Sequence, residues 1–289
     1  MSVAEVRAAL ERHGLAARRD LGQNFLVDPA IAQRLVTHAG VTPADVVIEI
    51  GPGLGLLTRA LAARAARVVA IEVDAGLVRA LRAEGALPGN VELRHADALA
   101  VDLAAMAEEA EGPARVVANL PYAISSPLLR RLLDARHVLA DWSVMVQREV
   151  AERVQATPGS RDYGSLAVLH HLCVRASRGI DLAPGCFFPV PRVSSRFFRL
   201  SPRGDTPVGR DELERVERVA RAAFGQRRKT LVNALRGGLV PSPTRARIEA
   251  ALEGLGLDPR VRAEALAPET FLALARILDL DDPVAPAGG

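Results

Sequence analysis

The sequence predicts a doubly wound α/β domain followed by a small all-helical domain. Three observations carry that reading. Short apolar runs, VVIEI (46–50), RVVAIE (67–72) and VVA (116–118), are separated by helical stretches of about ten residues, the pattern of parallel strands joined by crossover helices. A glycine-rich turn, GPGLG (51–55), joins the first two runs into a βαβ unit. Beyond residue 210 no convincing strand pattern returns, and apolar residues follow helical spacing instead.

Taken in order, residues 1–20 predict a short amphipathic helix, a turn near Gly14 and a basic approach containing Arg18 and Arg19. Asp28-Pro29 marks a helix start, with Ile31, Leu35 and Val36 as its buried stripe. After the βαβ unit, 74–83 reads as helix and VELRHADAL as a third strand ending near Asp97. The fourth strand is 116–118, and DWSVMVQREVAERV, from 141, supplies a fifth followed by helix. SLAVLHHLCVRASRGIDL and VSSRFFRL supply further strand or helix–strand elements. The expected partition is 1–200 for the first domain with its N-terminal extension, a Gly/Pro-rich linker at 201–210, helices over 211–280, and a mobile tail at 281–289. Within the helical part, 211–238 reads as one helix with Leu213, Val216, Val219, Ala223 and Leu231 on its apolar face; two shorter helices fit 243–254 and 268–279.

Composition sets bounds on function. Of 289 residues, 49% are hydrophobic, ample for a core and against wholesale disorder. A net charge of +3, from 37 basic and 34 acidic residues, is too small to demand a nucleic-acid partner. Lys229 is the only lysine, so the remaining basic residues are arginines, whose planar forks suit phosphate. Cys173 and Cys186 form no metal-type cluster and read as a reduced pair. His170 and His171 are adjacent rather than spaced as ligands, and Ser125, Ser126, Ser194 and Ser195 have no Asp/His arrangement suited to hydrolysis. With neither an apolar signal core at the start nor a run long enough to span a bilayer, a soluble cytoplasmic protein is expected.

Chemistry concentrates at the predicted strand ends. The fourth strand stops at Asn119-Leu120-Pro121-Tyr122, where proline cannot extend a sheet, leaving an amide, a freed carbonyl and an aromatic at the carboxyl edge. Ser125-Ser126-Pro127 then reads as a helix start. Glycines at 51, 53 and 55 admit a ligand close to the backbone; the absence of a Walker ending and of GxGxxG spacing argues against a phosphate loop. Glu72, ending the second strand, can accept from both hydroxyls of a ribose. Asp97 could accept from an adenine amine or simply close an Asx turn.

EIGPGLG, Glu72, Asp97 and NLPY resemble the ordered motifs of S-adenosylmethionine-dependent N6-adenine methyltransferases. LGQNFL, FFPVPRVSS and FGQRRKTLVNAL narrow the resemblance to the ribosomal RNA adenine N6,N6-dimethyltransferase family, over residues from about 18 to 279, and within it to the bacterial small-subunit branch. The resemblance implies a Rossmann-like methyltransferase domain that takes S-adenosylmethionine and dimethylates two adjacent adenosines in a hairpin loop near the 3′ end of 16S rRNA, in an assembling 30S particle. It places cofactor contacts on Gln23, Asn24, Leu26, Gly51, Gly53, Glu72, Asp97 and Asn119, with Phe187 closing the face of the base opposite Tyr122. Asn24 and Phe25 could instead be capping and packing residues, and Phe187 a core residue.

A mechanism follows from chemistry. Adenine N6 is a weak nucleophile because its lone pair is delocalised into the ring. The Asn119 side-chain carbonyl and the Leu120 backbone carbonyl can accept its two hydrogens and draw it toward tetrahedral geometry, while Tyr122 stacks on the extruded base. The sulfonium charge disappears during transfer, so no metal is needed. Arg221, Arg227, Arg228, Lys229 and Arg236, with no acid between 221 and 236, form either a phosphate track, extended by Arg18, Arg19 and Arg148, or a solvated face. A monomer is the default. Rival readings are a large-subunit rRNA dimethyltransferase, a DNA adenine methyltransferase (for which no major-groove reader is evident) and an assembly factor in which catalysis is secondary or absent.

Overall fold

The computed structural model describes the chain except residues 19, 86, 111–112, 206–207 and 279–289; Arg19 and the 281–289 tail therefore lie outside the described residues. Two compact units emerge, Met1–Ala151 with Ala176–Pro202, and Glu152–Arg175 with Arg203–Gly289.

The first unit opens with α1 (Val3–Arg12), started by a capping box between Ser2 and Glu5. A two-residue strand, β1 (Phe25–Leu26), precedes α2 (Pro29–Ala39), which Asp28 caps at the Ala30 amide and Gly40 ends at φ 68°. Alternation then sets in: β2 (Val46–Ile50), α3 (Leu56–Ala62), β3 (Arg67–Glu72), α4 (Ala75–Ala83), β4 (Val91–His95), α5 (Leu103–Glu108), β5 (Ala114–Asn119), α6 (Ser125–Asp134), β6 (Asp141–Gln147) and α7 (Arg148–Gln155). Helix α8 (Ser165–Cys173) belongs to the second unit, and β7 (Val174–Ala176) carries the chain back into the first. There β8 (Ile180–Leu182), β9 (Phe187–Phe188) and β10 (Ser195–Pro202) complete the strands.

The main sheet runs β4-β3-β2-β5-β6-β10, with β8 also paired to β10. Its first five strands are parallel and β10 is antiparallel to β6. Strand order reverses between β2 and β5, the switch point where an open α/β sheet leaves a crevice at its carboxyl edge. Every residue of β2 is buried, as strands covered by helices on both faces require. Short helix α5 was not anticipated: its six residues, LAAMAE, are too few and too alanine-rich to show a stripe.

In the second unit, the single helix expected over 211–238 is two, α9 (Arg210–Gly225) and α10 (Leu231–Gly238). The break falls where exposed Gln226, Arg227, Arg228 and Lys229 offer no apolar side chain to hold a helical turn against a core. Helices α11 (Arg245–Gly254) and α12 (Pro268–Leu278) follow near the expected places. The expected partition also needs correction: residues 152–175 join this unit. Apolar α8 packs on α9 and α12, Tyr163 donates its hydroxyl to the Leu266 carbonyl at 2.9 Å, and its ring meets Phe224 edge-on at 5.5 Å. The expected linker is partly ordered structure. Ser201 and Pro202 end β10, Arg203 N donates to the Cys173 carbonyl at 2.9 Å, and Val208 is buried.

Candidate active site

Beyond β2 the chain turns through Gly51, Gly53 and Gly55 at φ 72°, 58° and 76°, a region costly for any residue with a Cβ. Space forbids a side chain at Gly53 as well, because a Cβ there would lie 2.9 Å from the Phe25 ring. Gly51 N donates to the Ile71 carbonyl at 2.9 Å, and Gly53 N to Glu72 Oε2 at 3.2 Å, so the loop is anchored to the end of β3. The other carboxylate oxygen of Glu72 accepts from Asp74 N at 2.9 Å. Burial, at 5% exposure, raises the Glu72 pKa against the pull of these backbone donors. Deeper still, Glu49 is pushed up to about 8 by burial, with neighbouring Glu72 adding to the effect and Thr58 and Arg59 opposing it. Its Oε2 has no hydrogen-bond partner among the described residues.

Across the switch point, β5 ends in the Asn-Leu-Pro-Tyr turn. Leu120 N donates to the Met145 carbonyl at 3.0 Å, the last rung tying this segment to β6, and the chain then enters a single 3-10 turn at Tyr122–Ile124. Helix α6 does start at Ser125, but the Ser125 hydroxyl donates back to the Pro121 carbonyl at 3.0 Å rather than capping forward. Asn119 Nδ2 donates to the Asn24 carbonyl at 3.0 Å. That bond fixes which way the amide faces. Neither Asn119 Oδ1 nor the Leu120 carbonyl receives a hydrogen bond from the described residues. The Tyr122 hydroxyl lies 2.6 Å from Ser195 Oγ and is made less acidic by burial.

The segment before β1 closes the third side. Gln23 Nε2 donates to Asp74 Oδ2 at 3.0 Å, its Oε1 accepts from Arg18 N at 2.9 Å, and Asn24 Nδ2 donates to the Gly22 carbonyl at 3.1 Å. Helix α1 backs this segment, its Val6 and Leu10 clustering with Phe25 and Leu77. Together these three sides line an open cleft. Gln23, Asn24, Leu26, Gly51, Gly53, Glu72, Asn119, Leu120, Pro121 and Tyr122 all line it.

Two expected residues do not join them. Asp97 is exposed outside the lining, and its Oδ1 accepts from Leu99 N at 2.8 Å, the Asx turn weighed as its alternative. Phe187 offers no ring face to a base: it is fully buried in one cluster with Leu26, Met145, Leu182 and Phe197, because β9 pairs with β1 in the register Leu26↔Phe187. The adjacent Phe188 is only half-buried, with the Arg7 guanidinium 5.4 Å from its ring centre.

Among the expected phosphate contacts, Arg221 is held by Glu217 at 2.6 Å, and Arg227 donates to the Arg161 carbonyl at 2.8 Å. Arg228 and Lys229 are exposed in the α9–α10 turn, with no acidic partner among the described residues. Arg236 is exposed on α10, whereas Arg18 and Arg148 belong to the first unit. Neither Cys173 nor Cys186 forms a disulfide among the described residues. From sequence, Glu49 had no role apart from its place in EIGPGLG, and Ser195 was weighed only as a hydrolytic group. Glu49 was signalled by an acid inside the otherwise apolar run VVIEI, while Ser195 had no local signal.

A family model described as ribosomal RNA adenine dimethylase matches residues 14–280. The chain belongs to that family. A relative from Magnetococcus marinus, named ribosomal RNA small subunit methyltransferase A, is 42% identical over 270 residues, covering 93% of this chain and 95% of the relative. Among solved structures, the 23S rRNA methyltransferase ErmE is 30% identical with a TM-score of 0.62, covering 89% of this chain and 100% of that one. A dimethyladenosine transferase from Plasmodium falciparum, at 24% identity, shares the fold with a TM-score of 0.71 over 86% of this chain and 95% of its own. The family therefore has a Rossmann-like methyltransferase fold, and this chain carries it. Among the described residues no helix is long and apolar enough to cross a membrane.

Proposed function

We propose that this protein transfers methyl groups from S-adenosylmethionine to N6 of two adjacent adenosines in the 3′-terminal hairpin loop of 16S rRNA, giving N6,N6-dimethyladenosines as the small subunit matures. The observation that carries this reading is the Asn119 amide. Its nitrogen is committed to the Asn24 carbonyl, which leaves Oδ1 as an acceptor beside the Leu120 carbonyl, both at the cavity wall.

The chemistry of the lining suits the methyl donor. Glu72 brings a carboxylate suited to ribose hydroxyls, the glycine loop lets a nucleoside approach the backbone, and Gln23 and Asn24 supply amides at the other side. When bound, S-adenosylmethionine supplies an electrophilic methyl group. The protein's residues prepare the nucleophile. Asn119 Oδ1 and the Leu120 carbonyl accept the two N6 hydrogens, localise the lone pair on nitrogen and aim it at the methyl carbon. The Tyr122 ring stacks on the extruded adenine and excludes water. Such preorganised acceptors act by positioning and electrostatics, with no general base required, because the methylated N6 is acidic enough to shed its proton to solvent after transfer. In the second unit, Arg228 and Lys229 supply the strongest phosphate contacts, because Arg221 and Arg227 already spend donors internally. The relative named for the small ribosomal subunit, at 42% identity, supports 16S rather than 23S rRNA as substrate.

The test is to incubate the protein and labelled S-adenosylmethionine with assembly-state 30S particles or with large-subunit RNA, then map the methylated nucleotides. Two adjacent dimethyladenosines near the 3′ end of 16S rRNA are expected. Absence of transfer to 30S particles sinks the proposal, and transfer only to large-subunit RNA replaces it with the large-subunit reading.

A further inference from the structure

The 2.6 Å bond between the Tyr122 and Ser195 hydroxyls joins the loop after β5 to the first residue of β10. Ser195 is fully buried, and its backbone is paired on both sides, with Gln147 of β6 and Leu182 of β8. The Ser194 carbonyl accepts from Arg148 N at 2.9 Å, which fixes the approach to the strand. The Ser195 hydroxyl is therefore a stationary post. A buried strand position gains from a β-branched apolar residue and loses when a hydroxyl is desolvated, so a serine there needs a partner to offset that cost. Tyr122 is the partner.

The other end of Tyr122 is equally constrained. Its backbone starts the 3-10 turn, and a Cβ on Gly22 would lie 3.1 Å from Tyr122 N and 3.2 Å from Ala123 N, so the N-terminal segment lies directly against it. An aromatic ring attached only at Cβ can still swing about two torsions. A hydrogen bond at the para position stops the swing about the first torsion, and it biases the second through the in-plane preference of the phenolic O–H.

We propose that Ser195 is a positioning residue for methyl transfer: through the Tyr122 hydroxyl it fixes where the ring that stacks on the target adenine sits. This rests on the reading of Tyr122 as the base platform. An untethered ring still binds the base but lets N6 drift relative to Asn119 and Leu120, and a drift of about 1 Å costs up to about 100-fold in rate. The effect falls on the transfer step and spares affinity.

Single-turnover transfer to 30S particles by Ser195→Ala, Tyr122→Phe and the double variant tests this. Each single substitution is expected to slow transfer about tenfold, with affinities for S-adenosylmethionine and 30S particles within about twofold, and the double variant is no slower than either single one. RNA carrying 2-aminopurine at the target position should fluoresce more brightly on Ser195→Ala than on wild type, as stacking loosens. Wild-type transfer by Ser195→Ala, losses that multiply in the double variant, or unchanged fluorescence overturns the inference. Should Ser195→Ala fail to fold, Tyr122→Phe, which keeps the packed ring, carries the test, and a wild-type rate in it is equally decisive. Tyr122→Ala separates the two levels: normal transfer by that variant removes the base-platform reading itself. If Tyr122→Ala is inactive while Ser195→Ala transfers normally, only the positioning role fails.

Discussion

At the amino ends of the parallel strands, Asp45 and Asp141 are 2% and 1% exposed and share Arg115. Arg115 lies 3.0 Å from Asp45 and donates to Asp141, which also accepts from Arg199 at 2.5 Å. Thr42 completes the shell of Asp45 through its amide and hydroxyl, at 2.7 and 3.0 Å. At the carboxyl ends of the same sheet, Glu49 and Glu72 are just as buried, at 1% and 5%, yet neither has an arginine or lysine within ion-pair distance among the described residues. A buried charge that is matched holds a fold together, whereas buried acids left without a cation raise their own pKa and mark a place kept for a ligand. One sheet thus matches its buried acids with arginine at one end and leaves them unmatched at the other.

The comparison breaks most readily at Arg115. Arg115→Met strands Asp45, leaves Asp141 with Arg199 alone, and is expected to cost about 3–5 kcal/mol of unfolding free energy, read by denaturant titration. The surviving folded protein should bind S-adenosylmethionine as wild type does, and a stability change under about 1 kcal/mol would place the amino-end network among ornamental ion pairs. At the other end, Glu72→Ala should weaken S-adenosylmethionine binding by about 10–100-fold, the loss of hydrogen bonds to a charged acceptor, measured by calorimetry. Unchanged affinity there would remove Glu72 from the site.

A subtler contrast lies in pH. The folded protein keeps the Glu49 proton up to about pH 8, whereas an unfolded glutamate loses it near 4.5. Stability from this residue is therefore full below pH 4.5, declines as pH rises toward 8, and is level above that; Glu72, shifted in the same direction, adds to the decline. Glu49→Gln should flatten most of this slope and gain on the order of a few kcal/mol over wild type at pH 8. Parallel melting curves for the two proteins from pH 5 to 9 would contradict it. Smallest of all, the double substitution Arg228→Ala, Lys229→Ala should leave the melting temperature unchanged and lower the salt slope of RNA binding by about two. An unaltered slope would assign those charges to solvent.

What could be read from the sequence divides along similar lines. Strands β2 and β3, the glycine loop and the Asn-Leu-Pro-Tyr turn were legible because each is contiguous, and its apolar run or backbone requirement is written locally. The break between α9 and α10 was written locally, in the polar run from Gln226 to Lys229, whereas the membership of 152–175 in the helical unit depends on which distant residues bury one another. Phe187 was misplaced for the same reason, since only its pairing with Leu26 puts it in the core. Glu49 carried a local signal that went unused, a charge in a buried strand. Ser195 became visible only when β10 brought it to Tyr122.

The division between the two ends is tested most directly at Asn119, on the chemical edge and outside the ion network. Asn119→Ala should be assayed for single-turnover methyl transfer to 30S particles, for 30S affinity and for thermal unfolding. Transfer is expected to fall by more than about 100-fold. Affinity should stay within about twofold and the melting temperature within a few degrees, as the loss of one hydrogen bond to the Asn24 carbonyl implies. Transfer that persists, or a parallel loss of transfer, binding and stability, would contradict the account.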